Sequence, residues 1–153
     1  MKLITLTKGA TARVDDDDFE WLSGFNWNLD SKGYAQRKAG KSTVRMHREI
    51  LRAPAGMDVD HIDGDRLNNQ KANLRVCTRS ENKRNQRVYR NSTSGFKGVS
   101  FHKLTGKWHA HIGHNGKTTY LGLHRTAEDA AIAYNEAARR LHGEFAKLNE
   151  VRS

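Results

Sequence analysis

The chain has 153 residues, room for one ordinary domain or two small ones, and sets 27 Lys and Arg against 17 Asp and Glu. That positive excess favours a polyanionic partner, nucleic acid before a membrane surface. No apolar run nears the roughly 18 residues of a membrane span, Met1 to Thr5 turns polar too early for a secretory signal, and Cys77 as sole cysteine excludes an internal disulfide and a cysteine-built zinc site, so a cytoplasmic protein with no membrane partner is expected.

Cut at residues 56 and 92, the chain carries +3, +3 and +4, so each stretch can touch a phosphate backbone. Leu3 to Leu6 and Thr11 to Val14 read as strands around the turn residue Gly9. The acidic run Asp15 to Asp18, ahead of Phe19, Trp21 and Leu22, suits a helix N-terminus and reads as a solvated cap, not a metal site. Tyr34 to Lys38 and Ser42 to Arg45 pair across Ala39-Gly40-Lys41. Met46 to Arg52 then reads as a helix ended by Ala53-Pro54, with His47 a packing residue.

The next stretch carries the chemistry. Met57 to Ile62 reads as a strand, Asp63 to Asn73 as a loop, and Leu74 to Cys77 as a second strand. Thr78 with Glu81 three residues on makes a capping box that starts a helix at about Arg79 and puts Asn82 in its first turn. Asp60-His61, then Asn73, then Asn82 form an ordered series of the residue types that phosphodiester hydrolysis needs. A histidine that is neutral near pH 7 can take a proton from water. A carboxylate and an amide oxygen suit a hard divalent cation that keeps most of its waters.

This series, over about residues 45–85, resembles the HNH nuclease motif of phage and mobile-intron enzymes. The resemblance implies a β-β-α metal fold with His61 as general base, Asp60 and Asn82 on Mg²⁺ or Mn²⁺, and Asn73 tying the loop so that His61 points correctly. Asn85, one turn beyond Asn82, is its rival as ligand, while Asn68 and Asn69 read as turn residues. Neighbours in a regular strand face opposite ways, so Asp60 and His61 would need a kink to share a site. Two other metal readings are weak. From Asp58 the EF-hand spacing fails at Ile62 and Gly64, and His109, His111 and His114 have no carboxylate beside them.

Arg79, Lys83, Arg84, Arg87 and Arg90, opposed only by Glu81, place a basic helix where it would follow the DNA backbone. Asn91 to Gly95 reads as a linker. Beyond it, Phe96 to Phe101, Lys107 to His114 and Lys117 to Leu123 read as three antiparallel strands, with Asn115-Gly116 as a tight turn. Thr126 caps an alanine-rich helix that Gly143 ends. Alternation turns Val99, Phe101, Trp108, Ala110, Ile112, Leu121 and Leu123 toward the helix. It turns Ser100, His102, His109, His111, Thr118 and Tyr120 outward.

Phe96-Lys97-Gly98-Val99, Gly106-Lys107-Trp108, Tyr120-Leu121-Gly122 and Thr126 to Ala131, with Ala133-Tyr134, are similar to the APETALA2-type DNA-binding domain. That family reads the major groove with its sheet. Ser100, His102, Gly113 and Tyr120 replace the usual arginines and tryptophan, so DNA binding carries over and the plant target sequence does not. Lys97 and Lys117 are the phosphate contacts expected beside that face.

The expected fold is α+β: a small N-terminal sheet leading into a β-β-α HNH core, then a three-stranded antiparallel sheet backed by one helix. Residues 1–90 would form the nuclease domain, with 1–56 as its flank and 57–90 as the metal motif. Residues 91–95 would be the linker and 96–150 the DNA-binding domain. The expected function is site-guided, metal-dependent endonuclease action on double-stranded DNA by a monomer with no obligate protein partner, a strand-nicking homing enzyme in type. Its rivals are a DNA-binding regulator with a non-catalytic HNH fold and an RNA- or ribosome-binding basic protein.

Overall fold

The computed structural model describes residues 1–85 and 92–151. The chain divides into two compact units, Met1–Asn82 and Lys83–Ser153.

In the first unit, β1 (Lys2–Thr5) and β2 (Thr11–Val14) pair antiparallel with Lys2 opposite Val14. Lys8 and Gly9 take left-handed φ values of 70° and 80° in the turn between them. Asp15 precedes α1 (Asp16–Ser23), whose first turn is all acidic, as the positive end of a helix favours. The acidic run is more than a solvated cap. Asp15 accepts from Lys71 N at 2.8 Å and from Gln70 Nε2 at 3.1 Å, and Asp18 accepts from Lys71 Nζ at 2.8 Å. It thus clamps a loop more than 50 positions on, a contact no local pattern announces.

Strands β3 (Asn28–Leu29), β4 (Ala35–Ala39) and β5 (Ser42–Arg45) form a second antiparallel sheet in the order β3-β4-β5. The two-residue β3 is too short to show as a pattern. Helix α2 (Met46–Ile50) is shorter than the expected Met46 to Arg52, because Arg52 turns to φ 46°. Strands β6 (Asp58–His61) and β7 (Leu74–Cys77) form a hairpin with Asp58 opposite Cys77 and His61 opposite Leu74. Helix α3 (Arg79–Asn85) follows. Its capping box is made: Glu81 N donates to Thr78 Oγ1 at 3.3 Å, and Glu81 Oε2 accepts from Thr78 N at 2.8 Å. One apolar core that includes Val14, Leu22, Trp27, Met46, Val59 and Leu74 joins β1, β2, α1, β4, α2, β6 and β7. Trp27 is accommodated there because its Nε1–H donates to the Leu22 carbonyl at 2.8 Å.

In the second unit, β8 (Val99–His102), β9 (Lys107–His114) and β10 (Lys117–His124) form an antiparallel sheet in the order β10-β9-β8. Asn115 and Gly116, at φ 50° and 75°, make the tight turn expected of them. Helix α4 (Ala127–His142) packs on all three strands. Its buried Ala130, Ala131, Ala137 and Ala138 allow close approach to the sheet. Thr126 Oγ1 accepts from Asp129 N at 3.0 Å at one end, and Gly143 takes φ 54° at the other. Gly98 is required: at φ 73°, a Cβ would enter the Tyr134 ring and the His111 carbonyl.

The two faces of this sheet follow alternation except at one place. A bulge at Leu121 sets Tyr120 opposite His111 but Gly122 opposite Ala110 and Leu123 opposite His109. Leu121 still packs inward, while the extra residue turns Leu123 outward, where it is 38 % exposed. The expectation that Leu123 faces the helix is thereby corrected. Phe101 pairs with Trp108 and stacks on it edge-on at 5.1 Å, yet it remains 47 % exposed.

Candidate functional site

The β6–β7 hairpin and its loop carry the first cluster. Strand β6 stays regular through His61, and the ladder continues with Ile62 N on the Asn73 carbonyl at 2.9 Å. Without a kink, Asp58 and Asp60 belong to one face, and Val59 and His61 to the other.

On the His61 face, the histidine is 4 % exposed. Its Nε2 meets Asn69 Oδ1 at 3.3 Å, and Asn69 Nδ2 donates to the Leu67 carbonyl at 3.3 Å. Asn69 is fully buried and is more than the turn residue its sequence context suggests. The His47 ring lies edge-on to His61 with centroids 5.0 Å apart, and Tyr34 is 5.2 Å from His47 and 5.9 Å from His61. Burial pushes the His61 pKa below its ordinary value. The Asn69 bond and the carboxylates of Asp63, Asp60 and Asp65 oppose that shift without cancelling it. His47 is pushed down to about 3, by burial first and then by its electrostatic coupling to His61 and the charges of Arg45 and Arg48. Both rings are therefore neutral near pH 7.

The loop is held by its own polar side chains. Asn73 Oδ1 accepts from Asp63 N at 3.1 Å, and Asn73 Nδ2 donates to Asp63 Oδ1 at 3.0 Å and to the Asn68 carbonyl at 2.8 Å. Asn68 Nδ2 donates to Asp63 Oδ2 at 2.8 Å. Burial pushes the Asp63 carboxyl up, but its donors Asn68, Asp65 N and Asn73 hold it below its usual range. The loop is also tied to β2 through Arg13 N on the Leu67 carbonyl and Asn69 N on the Arg13 carbonyl, both 2.8 Å.

On the other face, Asp60 is 7 % exposed and receives Arg75 from the opposite strand, Nη2 at 2.8 Å and Nε at 3.0 Å. Asn82, from the first turn of α3, donates Nδ2 to Asp58 Oδ2 at 3.0 Å. Cys77, opposite Asp58, has its thiol pushed up to about 11 by burial and then by Asp60 and Asp58. Sequence reasoning weighed Asp58 only as the start of an EF-hand loop and passed over Arg75. Asp58 is legible as the same-face neighbour of Asp60, while Arg75 emerges only once strand register is known. Asn85, the rival of Asn82, is buried. Among the described residues no three His, Cys, Asp or Glu side chains are arranged to hold a metal ion. The oxygen set here is two carboxylates and an amide. That donor set fits a hard cation that keeps several waters, and the guanidinium on Asp60 shows that the face accepts positive charge.

The second cluster is the outer face of the β8–β10 sheet. The His109 ring packs tilted against His111 at 5.3 Å and Tyr120 at 5.1 Å, and edge-on against His102 at 6.5 Å. Ser100 Oγ lies 3.5 Å from His109 Nδ1. Thr118 and the exposed Tyr120 continue this face on β10, and Lys117 is exposed at the turn. Burial and then His109 lower the His111 pKa. His114 is separate, since it stacks on His142 of α4 at 5.8 Å. Lys97 is half-buried, its Nζ donates to the Arg84 carbonyl, and burial followed by Lys147 pushes its pKa down to about 8. Arg84 Nη2 donates to Asn115 Oδ1 at 3.1 Å, while Arg79 and Lys83 are exposed. Arg87 and Arg90 lie outside the described residues.

Comparison with known proteins agrees with the hairpin. The HNH endonuclease family matches residues 52–84. An uncharacterized HNH endonuclease, L560, of Acanthamoeba polyphaga mimivirus is 34% identical over 152 residues, which is 94% of this chain and 77% of that protein. Protein 3.8 of Escherichia phage T7 is 36% identical over 95 residues, 62% of this chain and 78% of its own. The C-terminal part is similar to plant AP2-like proteins. TOE2 of Arabidopsis thaliana, an AP2-like ethylene-responsive transcription factor, is 42% identical over 69 residues, 45% of this chain and 14% of its own length. The chain belongs to the HNH endonuclease family.

Proposed function

We propose that the chain is a metal-dependent endonuclease of double-stranded DNA, with His61 as the general base. The observation that carries this reading is a buried His61 at the end of β6, oriented by Asn69 and packed by His47 and Tyr34. Such a ring is neutral near pH 7 and fixed in direction, which is what proton abstraction from water asks of it. Asn73 keeps the loop that follows His61 in one shape by bonding Asp63 at its start and Asn68 in its middle. Asp60 and Asn82, with Asp58 beside them, would hold a Mg²⁺ or Mn²⁺ ion, which would supply charge neutralisation at the phosphate. Because Asp60 and His61 lie on opposite faces of a regular β6, a local bend at the strand end on DNA binding would be needed to bring both to one phosphate. Arg75, through Nε and Nη2, fixes the direction of the Asp60 carboxylate.

The second unit would carry the DNA partner's recognition. Its Ser100, His102, His109, His111, Thr118 and Tyr120 present a polar sheet face to a groove, where hydrogen-bonding side chains discriminate bases. Lys117, Arg79, Lys83 and Arg84 would meet phosphates. One centre per chain makes nicking the natural outcome for a monomer, as in a homing enzyme. The test is incubation of duplex DNA with the chain and Mg²⁺ or Mn²⁺, with His61→Ala and EDTA as controls. A parent chain that leaves DNA intact under both metals while still binding it would replace this reading with that of a DNA-binding regulator.

A further inference from the structure

Tyr34 precedes β4 and forms one wall around His61, its ring centroid 5.9 Å from the imidazole. Two guanidinium groups reach the same ring from separate parts of the chain. Arg45, at the end of β5, has its guanidinium carbon 4.7 Å from the centroid, and Arg66, in the loop after β6, lies at 5.0 Å. Stacking on a ring fixes a guanidinium without consuming its N–H donors.

Four other arginines of this unit are committed elsewhere. Arg37 pairs with Glu49, Arg13 with Asp65 and Arg75 with Asp60, while Arg48 bonds the carbonyls of Met57, Ala53 and Pro54. Arg66 gives Nη1 to the Lys32 carbonyl at 2.5 Å. Arg45 reaches Asp30 Oδ2 only at 3.4 Å, and that carboxylate already accepts from Lys32 N and Tyr34 N at 2.8 and 2.9 Å. Each guanidinium has five donors, so most point elsewhere. Arg66 is exposed and Arg45 half-buried, and Arg45 also borders an open groove of about 580 Å³ lined by Gln36, Thr43, Val44 and Arg48. Both guanidiniums bring positive charge to the ring beside His61, where it can meet an anion.

We infer that Arg45 and Arg66, stacked on Tyr34, form a subsite for a backbone phosphate of the substrate DNA beside the bond attacked by the water that His61 deprotonates. The subsite rests on the reading of His61 as the base of a DNA-cleaving centre. Its role is to bind and register the strand, since a guanidinium fork fits a phosphate oxygen pair and carries no base information.

The test uses the full chain and a short duplex, with affinity measured across salt concentrations. Arg45→Gln with Arg66→Gln should weaken binding about tenfold and lower the slope of log affinity against log salt by about 0.9, the loss of one neutralised phosphate. Arg45→Lys with Arg66→Lys keeps the charges and should keep the parent slope. Neutral methylphosphonates placed one at a time around the cut should locate the contact. The substitution that weakens the parent should leave the glutamine pair within about twofold of its own affinity for unmodified DNA. Each single glutamine variant serves if the pair does not fold. The subsite is overturned if the glutamine variants keep the parent slope, or if the lysine pair loses as much as the glutamine pair. A parent chain that does not cut DNA with Mg²⁺ or Mn²⁺ refutes the base assignment instead, and the salt slopes still decide whether the two arginines hold a phosphate.

Discussion

Both units place histidines on a small antiparallel sheet, and they use them in opposite ways. In the first, His61 and His47 are 4 % and 3 % exposed and packed against each other, and burial pushes both below their ordinary pKa. In the second, His102, His109 and His111 form a ladder on the face away from α4, flanked by Ser100 and the exposed Tyr120. A buried, neutral, hydrogen-bonded imidazole is prepared to accept one proton in one direction. A row of imidazoles on an open face is prepared to touch a surface. Under the proposed function, burial rather than residue type would divide chemistry from contact.

The strongest test of that division is His61→Ala in the full chain. Cleavage of duplex DNA should fall by about 10²- to 10⁴-fold while affinity stays near that of the parent. His109→Ala should do the reverse, changing affinity without a comparable loss of turnover on saturating DNA. A His61→Ala chain that cuts within a few-fold of the parent would break the comparison at its centre. Metal removal tests the same unit from its other face. EDTA should stop cleavage and excess Mg²⁺ or Mn²⁺ should restore it, and activity persisting in chelator would remove Asp60 and Asn82 from the role proposed for them.

For the second unit, Gly98→Ala should cost roughly 3 kcal/mol, since the new methyl meets the Tyr134 ring and the φ of 73° is unfavourable for alanine. Hydrogen exchange should accelerate in β8–β10 and α4 and stay unchanged in β6–β7. Equal acceleration in both units would show that they do not open separately.

The parts of this molecule that could be read in advance are those written locally. The Thr78–Glu81 capping box, the Asn115-Gly116 turn, the extent of β7 and the cap at Thr126 each depend on residues within a few positions of one another. The rest depends on register or on distant partners. The bulge at Leu121 follows from how β10 meets β9, and it moves Leu123 to the opposite face. Arg75 becomes the partner of Asp60 only because His61 pairs with Leu74. Asn69 looks like a loop amide until β2 closes on the loop and brings it to His61. Tyr34, His47 and His61 meet only when two sheets and a short helix pack.

A smaller effect should separate the outer-face residues by role. His102→Ala, His111→Ala and Tyr120→Ala should each relax sequence preference, by about 1–3 kcal/mol where the side chain meets a base edge. Competition between a selected duplex and random duplex would measure this. Uniform weakening across sequences would mean that the face grips DNA without reading it.

The smallest expected change concerns two lysines that sequence alone treats alike. Lys117 stands exposed at the β9–β10 turn, where an ammonium group can meet a phosphate while remaining solvated. Lys97 is half-buried, its Nζ is committed to the Arg84 carbonyl, and its pKa is pushed down to about 8, by burial and then by Lys147. A charge held in that way is poorly placed to exchange its partner for a phosphate. Lys117→Gln should therefore lower the salt slope of DNA affinity by about 0.9 and leave the melting temperature unchanged. Lys97→Gln should leave the slope nearly unchanged and act on stability instead, because the Arg84 carbonyl then has to find another donor. If both variants flatten the slope equally, Lys97 leaves its internal partner when DNA binds, and the second unit rearranges on contact.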